Sequence, residues 1–176
     1  AFKPIKMPSE SVAKELLREV MISTNSKDKV MIVSTFSSHL ARLKSIVEFS
    51  KQLNRKVVFL GRSLDKYVSA AERINLVEFS KEIKIIKYGM EIKNFFAKCK
   101  KPEEYVFVVT GHQGEPKSVL ARMIYKNFFN FKKEDIVIFS CTIIPGEENI
   151  RNRERMEAEL KKKKVRIFRD IHVSGH

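Results

Sequence analysis

Apolar residues recur along the chain with two different periods, and these periods predict its secondary structure. Continuous β-branched runs without polar alternation are typical of strands that are covered on both faces of a sheet. Such runs occupy residues 29–36, 55–61, 104–111 and 135–140. Residues 81–89 alternate between apolar and polar positions, which predicts a more exposed strand. A last strand begins near Val165 and ends before Ser174 and Gly175.

Between the predicted strands, apolar residues recur every three or four positions, which is the period of an amphipathic helix. The helices predicted in this way cover residues 9–23, 40–53, 64–74, 91–98, 116–129 and 147–163. Pro116 suits the first turn of its helix, where an N–H group is not needed. The segment NLVEFSKE, residues 75–82, has no clear pattern. We expect Phe128, Phe129 and Phe131 in the core, with an RNA-stacking surface as the alternative.

Strands and helices alternate from one end of the sequence to the other. This order predicts an α/β fold, a mostly parallel β-sheet with helices on both faces. The sequence has no composition shift, low-complexity segment or internal repeat beyond the strand–helix unit. We therefore expect a single domain over residues 1–176. Ligands of such sheets bind outside the carboxyl ends of the strands.

Net charge, the length of apolar runs and the cysteines indicate which kind of partner and which cellular location to expect. The 35 Lys and Arg residues exceed the 21 Asp and Glu residues, which gives a formal net charge of +14. This excess favours a polyanionic partner such as nucleic acid, and a lysine-rich thermophile surface is the alternative. No run approaches the roughly 18 apolar residues of a membrane helix, so we expect a cytoplasmic protein without a membrane partner. Cys99 and Cys141 are far apart and are expected in the core.

Small polar residues and histidines follow the predicted strands at their carboxyl ends. They are Ser37, Ser38 and His39, then Gly61, Arg62 and Ser63, then His112, Gln113 and Glu115, then Ser140, Cys141 and Thr142, and finally His172, Ser174, Gly175 and His176. All four histidines of the chain lie at these positions. Hydroxyls, an arginine, imidazoles and helix N-termini are the components of a phosphate site.

The last segment, IHVSGH, places His172, Ser174 and His176 two residues apart. An extended backbone would turn these three side chains to one side, where they could hold an anion. Exposed histidines on a frayed terminus are the alternative. Glu115 could act as an acid or base, or as a partner of a helix start.

Motifs for bond-breaking chemistry are missing from the sequence. The GHQGE segment matches neither a Rossmann fingerprint nor a P-loop. The sequence has no HExxH or HxHxDH motif and no GxSxG nucleophile elbow, so we expect no metal site formed by its own residues. From its residues alone, the chain binds phosphate better than it cleaves bonds.

Five segments occur in the same order as in the β-CASP domain of the ribonuclease J family. They are STFSSHLARL, VVFLGRS, VVTGHQGEP, FSCTIIPGEE and DIHVSGH, and the chain most resembles an archaeal member. The resemblance implies a Rossmann-like β-CASP domain excised from a larger metallo-β-lactamase enzyme. That enzyme would be a zinc-dependent 5′-to-3′ exoribonuclease, with two zinc ions held by the missing domain. The β-CASP domain would clamp RNA, preferably 5′-monophosphorylated, against that domain.

The resemblance also implies roles for individual residues. His176 corresponds to the motif B histidine, expected as a catalytic residue at the scissile or 5′-terminal phosphate. The expected phosphate and RNA-binding residues are Ser37, Ser38, His39, Arg62, Ser63, His172, Ser174 and Gly175. His112, Gln113 and Glu115 are expected at the edge of the site. Whether the full-length form is a homodimer is left open. The alternative function is that of a stand-alone, non-catalytic α/β domain that binds phosphate, nucleotide or RNA.

Overall fold

The computed structural model describes residues 10–169, and this part of the chain forms six α-helices and six β-strands. The helices are α1 (Glu10–Ser23), α2 (Leu40–Gln52), α3 (Arg62–Arg73), α4 (Gly89–Lys98), α5 (Val119–Tyr125) and α6 (Glu147–Lys162). The strands are β1 (Met31–Ser34), β2 (Lys56–Leu60), β3 (Ile83–Ile86), β4 (Tyr105–Val109), β5 (Ile136–Phe139) and β6 (Arg166–Phe168). A short 3-10 helix, Pro102–Glu104, precedes β4.

The strands form one parallel sheet in the order β3-β2-β4-β1-β5-β6. In its centre, Ile32 of β1 is opposite Phe107 of β4 and Val137 of β5. The chain first moves from β1 towards β3 and then returns past β1 to β6. Because crossover connections are right-handed, this reversal places α2 and α3 on one face and α4, α5 and α6 on the other.

Two cores confirm this arrangement, one on each face of the sheet. One core joins Leu17 of α1, Ile46 of α2 and Val68 of α3 to strand residues. The other joins Ile92 of α4 and Met156 of α6 to the opposite side of the same strands. The predicted α/β class, with a parallel sheet covered on both faces, is therefore confirmed.

The helix predicted over residues 116–129 is much shorter in the structure. Pro116 lies before α5, and the helix begins after Ser118, whose Oγ accepts a hydrogen bond of 3.2 Å from the N–H of Ala121. This side-chain cap fixes the start of the helix at Val119, three residues beyond the proline. At the other end, Asn127 adopts a φ of 52°, which a helix cannot continue through.

Other details of the packing agree with the sequence pattern. Phe129 and Phe131 are buried, and the partly buried Phe128 packs against the same core. Cys141 is buried, whereas Cys99 is only half-buried, so its predicted core position is wrong. In the segment without a clear pattern, Val77 and Phe79 are buried although they lie outside any helix or strand. None of the helices in residues 10–169 is long and apolar enough to cross a membrane.

Candidate functional site

The carboxyl ends of β4, β1 and β5 are neighbours in the sheet, so their exit loops meet. After β1, the chain presents a half-buried Ser37, an exposed Ser38 and a half-buried His39. His39 is the N-cap of α2 and makes no side-chain cap hydrogen bond. The N–H groups at this helix start are therefore not capped by its side chain, and they carry a positive partial charge. Hydroxyl groups beside such a helix start favour an anion.

A buried arginine connects the exits of β1 and β5 to α1. The side chain of Arg42 is 5% exposed, and its guanidinium donates to both carboxylate oxygens of Glu10, at 3.0 Å and 3.3 Å. Arg42 also donates through Nη1 to the carbonyl oxygen of Ser140. The Ser140 hydroxyl donates to the carbonyl oxygen of Ser34 at 2.9 Å. Arg42 thus holds the exit of β5 in place from within α2.

His39, after β1, and Cys141, after β5, form a polar pair next to Arg42. The hydrogen bond with Cys141 raises the pKa of His39, burial opposes that change, and the carboxylate of Glu10, 3.2 Å from Nε2, adds to it. Burial would raise the pKa of Cys141, but hydrogen bonds with His39 and Thr35 and the charge of Arg42 together lower it. The Thr35 hydroxyl lies 3.3 Å from the Cys141 sulfur. The cluster therefore favours the protonated imidazole, whose charge is balanced by the adjacent Glu10 carboxylate.

Histidine at the exit of β4 lies beneath the surface. His112 is 3% exposed, and its ring packs edge-on against Phe36 with centroids 3.9 Å apart. Both ring nitrogens are buried and lack a hydrogen-bond partner among the described residues. Burial, together with the charge of Arg153, lowers the pKa of His112 to about 4. His112 is therefore neutral near pH 7.

The depressed pKa of His112 predicts a pH dependence of stability. Between its unfolded pKa of about 6.5 and about 4, the unfolded chain binds the extra proton, so the free energy of unfolding falls as pH falls. We expect the wild type to lose about 2 kcal/mol more than His112→Leu between pH 7.5 and pH 4.5. Urea unfolding of both proteins at each pH measures this difference. Parallel pH profiles of the two proteins would contradict the prediction.

Arg153 of α6 holds the exit loop of β4, which contains His112. Its Nη1 donates to the carbonyl oxygen of His112 at 2.6 Å, and its guanidinium lies 3.5 Å from the ring centroid of Phe139. A carboxylate oxygen of Glu157 is 3.1 Å from its Nε. Because α6 follows β5, this contact couples the exits of β4 and β5.

The two other predicted edge residues of the β4 exit contact each other. The side-chain nitrogen of Gln113 donates to Oε1 of Glu115 at 3.4 Å. The remaining oxygens, Oε1 of Gln113 and Oε2 of Glu115, are buried and have no hydrogen-bond partner in the described part of the chain. The backbone carbonyl of Glu115 accepts from the Ser118 hydroxyl at 2.7 Å. Glu115 therefore lies in the turn that precedes α5.

Arg62 and Ser63 lie apart from this cluster. Both are exposed in the first turn of α3, at the exit of β2. Because β4 separates β2 from β1, this exit is about 10 Å along the sheet from that of β1. His172, Ser174, Gly175 and His176 lie outside the described residues. Within residues 10–169, no group of three or more His, Cys, Asp or Glu side chains is arranged to hold a metal ion.

The comparisons with known proteins point to one family. The model of the β-CASP domain of ribonuclease J matches residues 27–155. Ribonuclease J of Pyrococcus abyssi is 35% identical over 172 residues, which cover 97% of this chain and 38% of the relative. Ribonuclease J of Methanocaldococcus jannaschii is 40% identical over 178 residues, with 97% and 39% covered. Ribonuclease J of Sinorhizobium meliloti is 28% identical over 179 residues, with 96% and 29% covered.

The chain thus spans well under half the length of these relatives. The family match covers most of the described residues, including the exits of β1, β2, β4 and β5. Two relatives exceed 30% identity across nearly the whole chain. These findings confirm the resemblance read from the five sequence segments, and the chain belongs to the ribonuclease J family, of which it carries the β-CASP domain.

Proposed function

We propose that this chain is the RNA-clamping lid of a 5′-to-3′ exoribonuclease and that it binds the 5′-terminal phosphate of RNA at the exit of β1. The observation that carries the proposal is the position of the exposed Ser38 hydroxyl at the start of α2, beside His39. The start of α2, which the side chain of its N-cap leaves uncapped, adds N–H donors and a positive partial charge that favour a dianionic group there. A pocket that holds a terminal phosphate would favour 5′-monophosphorylated RNA over RNA that ends in a hydroxyl.

The remaining parts of the proposal concern the larger enzyme. Ser37 would add a second hydroxyl, and His172, Ser174 and Gly175 would complete the phosphate site. His176 would donate a hydrogen bond or proton at the phosphate that reacts. A metallo-β-lactamase domain would face this edge, and two zinc ions held there would supply the Lewis-acid chemistry of phosphodiester hydrolysis. The described residues do not fit a metal cage, so we assign none of their contacts to zinc.

Binding of matched RNA oligonucleotides tests the phosphate site in this chain. We expect a 5′-phosphorylated ten-nucleotide RNA to bind about tenfold more tightly than the same RNA with a 5′-hydroxyl. Ser38→Ala should remove most of that ratio. Ser80→Ala is the matched control, because Ser80 is exposed just before β3, at the opposite edge of the sheet. Fluorescence anisotropy with labelled RNA measures each affinity.

The outcomes separate the candidate functions. Tight RNA binding without a 5′ preference would overturn the phosphate site and favour a general RNA-binding domain. Binding of mononucleotides without RNA binding would favour a stand-alone nucleotide-binding domain.

For His176, we expect His176→Ala to lower RNA hydrolysis by about 100-fold in an enzyme that also carries the metallo-β-lactamase domain. Unchanged hydrolysis there would contradict the role of His176.

A further inference from the structure

A second groove lies at the carboxyl edge, on the far side of β4 from the cluster of His39 and Arg42. Its volume is about 410 Å³, and its lining comes from the starts of α3 and α4, the loop before α5, and α5 itself. Five cations line it: Arg62, Lys87, Lys117, Arg122 and Lys126. The other lining residues are Tyr88, Gly89 and Pro116, so no carboxylate from the described chain lines the groove. We call it the basic groove.

Two helices begin at the basic groove. Gly61, the N-cap of α3, has no side chain that could cap the helix, and the side chain of Tyr88, the N-cap of α4, makes no cap hydrogen bond. Each helix start therefore adds N–H donors and a positive partial charge to those of the cations. Asp65 and Glu91 lie in the first turns and offset part of this charge. Of the lysines, Lys87 is partly neutralised by Asp65, 3.5 Å away.

The position of Arg122 adds to the positive field. A Cβ atom placed on Gly89 would lie 2.8 Å from Nη1 of Arg122, so the guanidinium packs directly against the first residue of α4. A cation at the positive end of a helix is electrostatically unfavourable. The Nε of Arg122 is also buried and lacks a hydrogen-bond partner among residues 10–169. An anion in the groove would offset the unfavourable position of this cation at the helix start.

An exposed aromatic ring accompanies these charges. Tyr88 is 53% exposed at the groove, although aromatic side chains usually bury their large apolar surface. Bases of a single strand stack on such rings while cations nearby contact the phosphates. A positive groove with one exposed ring therefore fits single-stranded RNA better than an acidic peptide.

We propose that the basic groove binds the RNA strand a few nucleotides downstream of the 5′ end. This inference rests on the proposed RNA-binding function. The groove lies at the exits of β2 and β3, whereas the phosphate site lies at the exit of β1. Two strand spacings, about 10 Å, separate the exits of β2 and β1. The strand would cross the exit of β4 between them, with bases against Tyr88 and phosphates against Lys117 and Lys126.

Charge-neutralised variants of this chain test the groove. We expect Lys117→Gln/Lys126→Gln to weaken binding of a ten-nucleotide single-stranded RNA about tenfold at 0.1 M salt. The slope of log affinity against log salt should become shallower by about 1.4, because each lost phosphate contact contributes about 0.7. Lys27→Gln/Lys161→Gln is the matched control. Both of its lysines are exposed, one before β1 and one near the end of α6, at the amino edge of the sheet.

Two further measurements separate this inference from the proposed phosphate site. Tyr88→Leu should weaken binding of the same RNA about tenfold without changing the salt slope. Neither groove variant should change the ratio between 5′-phosphorylated and 5′-hydroxyl RNA, whereas Ser38→Ala should change that ratio. If RNA binds and the groove variants match the control, the groove inference is overturned while the phosphate site stands. Absence of RNA binding by the wild type would overturn both.

Discussion

Arg42→Met is expected to lower the free energy of unfolding by about 3 kcal/mol. Methionine keeps the apolar stem within α2, so little volume is lost from the core. The buried carbonyl oxygen of Ser140 loses the guanidinium that donates to it. Glu10 loses a bidentate partner, but its side chain is 36% exposed and can turn to water. Most of the cost therefore comes from the carbonyl at the exit of β5.

Glu10→Gln is the matched variant for this prediction. Glutamine still accepts from Arg42 with one oxygen, and its side chain remains partly solvated. We expect Glu10→Gln to cost less than about 1 kcal/mol. Urea denaturation gives both values, and the thermal midpoint of Arg42→Met should fall by roughly 9 °C for a chain of this size. Equal losses in the two variants would show that the ion pair, and not the Ser140 carbonyl, dominates.

The pattern of apolar residues was sufficient to predict the layers of the fold. The middle of an apolar run, for example residues 136–139, contains no polar position that could face water, so it has to lie between two layers of helices. The order of the strands does not follow from this pattern. The strand order places Ser38 and Cys141 at the neighbouring exits of β1 and β5. It places Arg62 at the exit of β2, on the other side of β4.

Arg42 escaped the sequence analysis because a charged residue in an amphipathic helix is normally assigned to solvent. Its burial depends on partners 32 and 98 positions away, Glu10 and Ser140, which no local pattern connects. The available signal was its spacing, four and seven residues before Ile46 and Phe49 of the apolar side of α2. His112 was expected at the edge of the site, and its burial likewise depends on distant partners, Phe36 and Arg153 of α6.

Gly114→Ala is expected to cost about 4 kcal/mol, because two separate penalties apply at this position. Gly114 has a φ of +73°, which alanine adopts only with strain. A Cβ atom there would also lie 2.4 Å from the carbonyl carbon and oxygen of Asn152 and 2.5 Å from the backbone nitrogen of Arg153. Backbone atoms within α6 cannot turn away as a flexible side chain can, so the loop itself has to move.

Gly146→Ala separates these two penalties. Gly146 also has a positive φ, +157°, but the nearest atom to its added Cβ is Nδ2 of Asn149 at 3.6 Å, an ordinary contact. We expect it to cost about 1 kcal/mol from backbone strain alone. In Gly114→Ala, the displaced loop should also lose the 2.6 Å hydrogen bond from Arg153 to the carbonyl of His112. Hydrogen exchange should then accelerate in α6 and in the loop before α5. If both variants lower the free energy of unfolding equally, the close contact with α6 does not constrain the exit of β4.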